Sequence, residues 1–461
     1  MNRPAQAGAR LDRLPTSTFH RRLLWLIGGG MFLDSFDIYL AGGVLGELTR
    51  NGWSNLSLNA AFLSSTFVGM LIGACAAGVL GDAKGRKFTY QFNLAIFGVA
   101  SLAGACAPNM VFLIVCRFFM GLGLGAEIVI GYSSIGEFIP PKVRGRWSSY
   151  LSLITNTALF ASTALGYLII PSIGWRAMFA IVGIGALGVW LLRKNLPESP
   201  RWLEAKGRHQ EADAVLRRIE AESPAQELPP LPAVARTPAP ARGFGALFRP
   251  PVLRRTLVAV WVQVAINVVI YGFIVWVPTF LVNQGLALKA SLGYTTLMSL
   301  GGPAGALAGV VLADRLGRKN GLIGVAIGAA LFGWLYSHAT GLPAATAWGF
   351  LLFTCTYLMV ALGIATYIPE LFATENRMRG AGVASAAGRL AGIVAPQVVV
   401  LLYAGGEVGN VLLVIIGTLL SMALVLACFG TETNHRSLED IAREAQPVPA
   451  GTDPAVNHLH P

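Results

Sequence analysis

Charge is what this chain has least of. Only 13% of its 461 residues are Asp, Glu, Lys or Arg, about half the share of a soluble protein. With 54% hydrophobic residues and 54 glycines, about two-thirds of the chain is apolar, against roughly 45 to 50% for soluble domains. A soluble globular protein is excluded. Cysteine is scarce too. Cys75, Cys106, Cys116, Cys355 and Cys428 are scattered, odd in number and mostly inside apolar runs, so no disulfide framework or Cys-x-x-Cys metal site is expected. The six histidines, His20, His209, His338, His435, His458 and His460, fall in tails or loops, and the chain has no HExxH and no GxSxG. Neither a metal nor a cofactor is expected, and the chain does not read as an enzyme. The phosphate loop of an ATP-driven pump needs Gly-Lys before Ser or Thr, and no Gly-Lys dipeptide exists here. Acidic residues are outnumbered 23 to 35, giving a net charge of +12. The basic residues sit in short gaps between apolar runs rather than on a solvated face, which argues against nucleic acid as a partner and for membrane topology.

What the chain does have is apolar runs of spanning length, about 20 residues each. They predict an all-α membrane protein with twelve transmembrane helices near 23–48, 59–81, 89–107, 110–138, 147–170, 177–193, 256–282, 292–312, 320–337, 346–369, 380–403 and 409–429. The first run is too long for a signal-peptide core and is expected to remain as the first span. The division is an N-terminal tail (1–22), a six-helix half (23–193), a linker (194–255), a second six-helix half (256–429) and a C-terminal tail (430–461). The linker holds an amphipathic charged stretch, 199–220, and a tract with Pro224, Pro229, Pro230, Pro232, Pro238 and Pro240. With both termini inside, the outer loops carry only Arg50, Arg176 and Lys289 and the membrane interior Arg117 and Arg389. The positive-inside rule fixes this orientation, with both termini cytoplasmic in a bacterial inner membrane.

The two halves repeat. Gly81-Asp82-Ala83-Lys84-Gly85-Arg86-Lys87 follows helix 2, and Ala313-Asp314-Arg315-Leu316-Gly317-Arg318-Lys319 follows helix 8, 232 positions later by the aspartates. Glu137 with Arg144-Gly145 corresponds to Glu370 with Arg379-Gly380, and Pro197-Glu198-Ser199 to Thr431-Glu432-Thr433, at offsets of 233 to 235. Three loops agreeing on one offset indicate a duplicated six-helix unit inserted twice in the same orientation.

Over about 23–438 this pattern resembles the major facilitator superfamily, with the Gly-Asp-x-x-Gly-Arg-Lys loop and its second copy as the most specific signals. Pro197-Glu198-Ser199-Pro200-Arg201-Trp202-Leu203 is similar to the signature of the sugar-porter branch. Asp34-Ser35-Phe36-Asp37, Gly125-Ala126-Glu127 and Gly388-Arg389-Leu390-Ala391-Gly392-Ile393-Val394-Ala395-Pro396 resemble aromatic-acid:proton and nicotinate symporters. The last stretch is also similar to organic anion transporters, where an arginine at this place is associated with substrate anions. The first loop departs from the usual Asp-Arg pair, having Ala83-Lys84 where the second copy keeps Arg315.

An ionisable group at mid-bilayer costs about 2.5 to 3.5 kcal/mol on insertion scales, so each is expected to face a wet cavity or a partner. Asp34 and Asp37 share one face of helix 1. Asp37 matches Arg117 of helix 4 in depth, both about 20 Å from the inner side, and both aspartates stay candidates for the titrating acid. Glu127, nearer the inner mouth, is a further candidate proton carrier. Arg389, near the midplane of helix 11, is the candidate anchor for a substrate carboxylate, its planar guanidinium matching that group. Gln263, Asn267 and Tyr271 recur every four residues as one polar stripe on helix 7, with Tyr357 and Asn156 as weaker candidates to line the cavity. Each has a bland alternative: a permanent salt bridge, a packing acid or polar glue between helices. Gly81, Asp82, Gly85, Arg86, Asp314, Arg315, Gly317 and Arg318 are the expected inner gate, alternatively mere topology signals. The resulting expectation is proton-coupled uptake of a small organic anion, an aromatic carboxylate or nicotinate-like compound, by alternating access in a functional monomer. A sugar or polyol symporter and a drug:proton antiporter are the alternatives.

Overall fold

The computed structural model describes residues 6–223, 230, 244–372, 377–403 and 405–433. Most of the linker's proline tract and the side chains of Arg144 and Asp314 lie outside the described residues. The first six spans are α1 (Thr18–Arg50), α2 (Leu56–Lys84), α3 (Arg86–Ala105), α4 (Met110–Phe138), α5 (Pro141–Ile173) and α6 (Arg176–Arg193). In the second half α7 (Pro250–Gly272) passes through a tight turn, Ile274–Trp276, into Val277–Asn283. Next come α8, made of Leu288–Ser299 and Gly301–Leu316, and α9 (Arg318–Ser337). Then follow α10 (Leu342–Met359), α11 (Arg377–Leu402) and α12 (Val408–Phe429). Among the described residues ten helices are long and apolar enough to cross a membrane; α3 and the broken α8 occupy the two remaining expected places. Val79, Leu168, Ile173, Leu401 and Leu424 point outward and are exposed, as lipid-facing side chains of such a bundle should be.

Several helices run past the expected ends, because polar turns continue a helix until something caps it. The Asn55 side chain accepts the Leu58 N–H at 2.9 Å and so starts α2. Proline opens α5 and α7, where its missing N–H costs nothing. Three spans read as uniform helices are broken or widened, each just before a proline that cannot donate to the preceding turn. Pro278 follows the tight turn of α7, Pro303 the break in α8, and Pro369 the wide-turned stretch Val360–Tyr367 that extends α10 to Ile368–Glu370.

The duplication has a physical purpose at the start of α3 and of α9. Glu198 accepts the backbone N–H groups of Arg86 at 2.9 Å and Lys87 at 3.2 Å. Glu432 accepts those of Arg318 at 2.8 Å and Lys319 at 3.1 Å. In each half a carboxylate from beyond the last helix thus neutralises the orphan donors and positive dipole of the third. The residue before each helix is a glycine at positive φ, Gly85 at +99° and Gly317 at +73°. A Cβ at Gly85 would also collide with Glu198 Oε2, and one at Gly317 would lie 3.0 Å from Glu432 Oε2.

The N-terminal tail is partly a built element. The helix Ala7–Asp12 lies on the linker helices Pro200–Ala205 and His209–Ala221. Arg10 pairs with Asp213 at 2.6 Å and Glu220 at 2.5 Å, Arg201 with Asp12 at 2.6 Å, and Glu204 accepts the N–H groups of Gln6 and Ala7. The hydrogen bonds from Arg10 hold the Glu220 and Asp213 carboxyls below the usual carboxylate range.

Gly85→Ala and Gly317→Ala are each expected to destabilise the protein by about 1 to 3 kcal/mol through the strained φ. The Gly85 variant should lose more, because its methyl also displaces the capping carboxylate. Melting followed by tryptophan fluorescence in detergent checks this; two unchanged Tm values would show that neither glycine is required.

Candidate functional site

The two aspartates of α1 serve different partners. Asp37 and Arg117 of α4 form an ion pair at 2.5 Å with both side chains at most 1% exposed, the contact expected from their matched depths. Arg117 Nε donates to Thr66 Oγ1 at 3.1 Å, and its guanidinium lies 4.7 Å from the Phe62 ring centroid. Asp34, three residues nearer the face that carries the termini, is equally buried and instead faces Glu127 and Arg193.

Glu127 is paired with Arg193, the last residue of α6, at 2.5 Å, and both are almost fully buried. Arg193 also donates to the carbonyls of Leu26 at 2.9 Å and Ile27 at 3.1 Å, and it lies 5.0 Å from the Tyr90 ring. Gly30 makes this possible: a Cβ there would run into Arg193 Nη2 and Glu127 Oε1. Arg193, counted from the sequence with the cytoplasmic loop charges, therefore belongs to the interior. Its position at the end of an apolar run disguised it. The 18-residue α6 stops short, whereas the 29-residue α4 carries Glu127 eleven residues before its own end.

Arg389 lies twelve residues into α11, about 18 Å from its start, half-buried and with no ion-pair or hydrogen-bond partner among the described residues. Its electrostatic neighbours are Cys75 of α2 and Tyr271 of α7, which puts it between the halves. The polar stripe of α7 runs alongside. Gln263 and Asn267 press on Gly388, where a Cβ would meet them at 2.6 and 2.8 Å. Asn267 Nδ2 donates to the Gln263 carbonyl at 2.7 Å, and the Tyr271 ring packs 4.3 Å from Phe67 of α2. Tyr357 is fully buried against Tyr39, ring centroids 6.3 Å apart, with the two hydroxyl groups facing each other. Asn156 donates to Ser152 Oγ at 3.2 Å on α5 and stands apart from the Arg389 group.

Contacts between the halves gather toward the face opposite the termini. Gly42 of α1 lets the Val275 carbonyl approach, Thr163 and Ser299 share a hydrogen bond at 2.6 Å, and Ser64 Oγ donates to the Ile393 carbonyl at 2.7 Å. Gln397 Nε2 donates to Ser64 Oγ at 3.2 Å, and Phe67 closes on Gly392. Within this seal Tyr39, Ser162, Thr163, Thr295 and Phe353 border a small cavity. Arg389 lies one turn on the termini side of the seal.

The loop residues expected to form the inner gate build networks within a half. Arg86 pairs with Asp82 at 2.9 Å and Glu137 at 3.1 Å, close against Gly81. Arg318 pairs with Glu370 at 3.4 Å, which accepts from Thr433 Oγ1 at 2.6 Å, while Arg315 is exposed.

Residues 24–445 match the sugar (and other) transporter family. The chain belongs to that family. The transporter is 39% identical over 445 residues to the inner membrane metabolite transport protein YdjE of Escherichia coli K12, covering 95% of this chain and 98% of YdjE. It is 32% identical over 439 residues to the niacin transporter NiaP of Acinetobacter baylyi, covering 94% and 99%. Among solved structures, the xylose transporter XylE of E. coli superposes with a TM-score of 0.74 at 18% identity, covering 91% of this chain and all of the other. The fold is that of the major facilitator superfamily, and the chain is an integral membrane transporter of small molecules.

Removing one member of a buried ion pair costs about 3 to 5 kcal/mol, whereas replacing both by apolar residues is often neutral. Arg193→Met alone should therefore lower the Tm strongly, and adding Glu127→Met should restore most of the loss. A double variant no more stable than the single would show that the two side chains are not energetically coupled.

Proposed function

We propose that this transporter carries a small organic anion, an aromatic carboxylate or a nicotinate-like compound, together with protons, by alternating access. The observation that carries the reading is Arg389: a half-buried guanidinium between the halves with no acidic partner among the described residues. An incoming carboxylate supplies the missing counter-charge and a bidentate fit. Gln263, Asn267 and Tyr271 line the approach, and Tyr357 is a further candidate. The similarity to a niacin transporter points the same way.

Asp37 is the coupling acid in this reading. Its protonation weakens the pair with Arg117 and loosens α1 from α4, so that the proton state biases the rocking of the halves. Asp34 and Glu127 extend the acid set. In this reading, with the seal on the face opposite the termini closed, the substrate leaves Arg389 toward the termini side, which the excess of basic residues makes the cytoplasm of a bacterial inner membrane. The carrier works as a monomer, its inner gate formed by the Asp82 and Asp314 loops.

A proton-coupled sugar or polyol symporter is the second reading, favoured by the family match and the Pro-Glu-Ser-Pro-Arg-Trp segment. Proteoliposomes with an imposed inward-acid gradient separate the two. Labelled nicotinate or benzoate should accumulate and xylose should not; the reverse result overturns the anion reading. Asp37→Asn should retain counterflow exchange while losing gradient-driven accumulation, and accumulation that persists would remove Asp37 as the coupling acid.

A further inference from the structure

Beneath the termini face, four helices of the first half each contribute one polar group to a single buried cluster: Asp34 from α1, Tyr90 from α3, Glu127 from α4 and Arg193 from α6. Asp34 faces Glu127, Arg193 and, further along α1, Asp37 with its partner Arg117. Glu127 pairs with Arg193, and Gly30, one turn before Asp34 on α1, packs directly against that pair. Several polar atoms lack any partner among the described residues: Asp34 Oδ2, Glu127 Oε2, Arg193 Nη1 and both amide atoms of Gln91. Buried groups of this kind are ordinarily satisfied by water.

There is room beside Arg193 for about one such water molecule. A small cavity is bounded by Arg86, Lys87, Tyr90, Gln91, Ser134 and Arg193. It reaches from the half-buried Gly-Arg-Lys loop, where Arg86 pairs with Glu137 and Glu198 caps the helix, inward to the guanidinium of the cluster. It lies inside the first half, away from Arg389. Asp34 stands only about 4.5 Å along α1 from Asp37.

We infer that protons travel between Asp37 and the termini side through the first half itself, by way of Asp34, Glu127 and the water cavity beside Gln91, while the substrate passes between the halves. Each hop breaks one O–H bond and makes another, from Asp37 to Asp34, to Glu127 and to water. Arg193 positions Glu127 and compensates the carboxylate left behind. The inference rests on the proton-coupled reading above and assigns the inner part of its proton path.

The test uses Gln91→Cys in full-length protein whose five native cysteines are replaced, reconstituted in vesicles. A membrane-impermeant sulfonatoethyl methanethiosulfonate should label this thiol from the termini side and not from the other. The infrared band of protonated carboxyl, identified by its loss in Asp34→Asn or Glu127→Gln, should exchange hydrogen for deuterium severalfold more slowly after labelling. Labelling follows folding, so misfolding does not confuse the result. A thiol unreactive from the termini side, or exchange unaltered by labelling, overturns the route. No substrate is needed for either readout. Failure of the coupling reading appears separately, as wild-type nicotinate accumulation that ignores the proton gradient.

Discussion

A guanidinium or carboxylate held between apolar helices needs an opposite charge within hydrogen-bonding reach, because the surroundings provide almost none of the solvation it leaves behind. The first half of this transporter meets that demand internally, Asp37 with Arg117 and Glu127 with Arg193. Glycine brings the backbone of α1 against the second pair, and three of Arg193's donors reach a carboxylate or a carbonyl. Among the described residues of the second half, Arg389 has no such arrangement. A paired charge can be a switch, since adding or removing a proton changes the pair, whereas an unpaired one is suited to hold a ligand of opposite sign. The division of labour proposed here, proton handling in the first half and anion binding from the second, follows from that asymmetry.

The scaffold around these groups is symmetric where the charges are not. Glu198 and Glu432 cap the third helix of each half across a positive-φ glycine, and Arg86 and Arg318 reach Glu137 and Glu370 in equivalent places. Such networks hold the termini-side ends of each six-helix unit as one body, which is what rocking about a central site requires. Contacts between the bodies are of another kind: close approach of the Val275 carbonyl at Gly42 and of the Phe67 ring at Gly392, and small hydroxyl groups at Ser64, Thr163 and Ser299. Those surfaces can part without leaving a buried charge unsatisfied.

The spans and the duplication were legible in the sequence because apolar run length and loop repetition are one-dimensional signals. The Asp37–Arg117 contact was legible through depth, since both residues sit inside long apolar runs whose ends could be placed. The partner of Glu127 was not. Arg193 ends its run, and only the unequal lengths of α4 and α6 bring it level with the acid. The fracture of α7 and the widening of α10 were likewise hidden, although Pro278 and Pro369 mark both. Capping by Glu198 and Glu432 could be suspected from the matched loops, but a carboxylate reaching back across more than 110 residues leaves no local pattern. The docked helix Ala7–Asp12 was missed because reading for apolar runs passes over a short amphipathic element held by ion pairs.

The central claim is that Arg389 is the counter-charge for the transported compound. Titration calorimetry with nicotinate and nicotinamide, which share a ring and differ in charge, tests it most directly. Wild-type protein should bind nicotinate at least about tenfold more tightly, roughly 1.4 kcal/mol, and Arg389→Gln should abolish that preference while keeping its fold. Equal binding of the two compounds by the wild type, or a preference that survives in Arg389→Gln, would contradict the account.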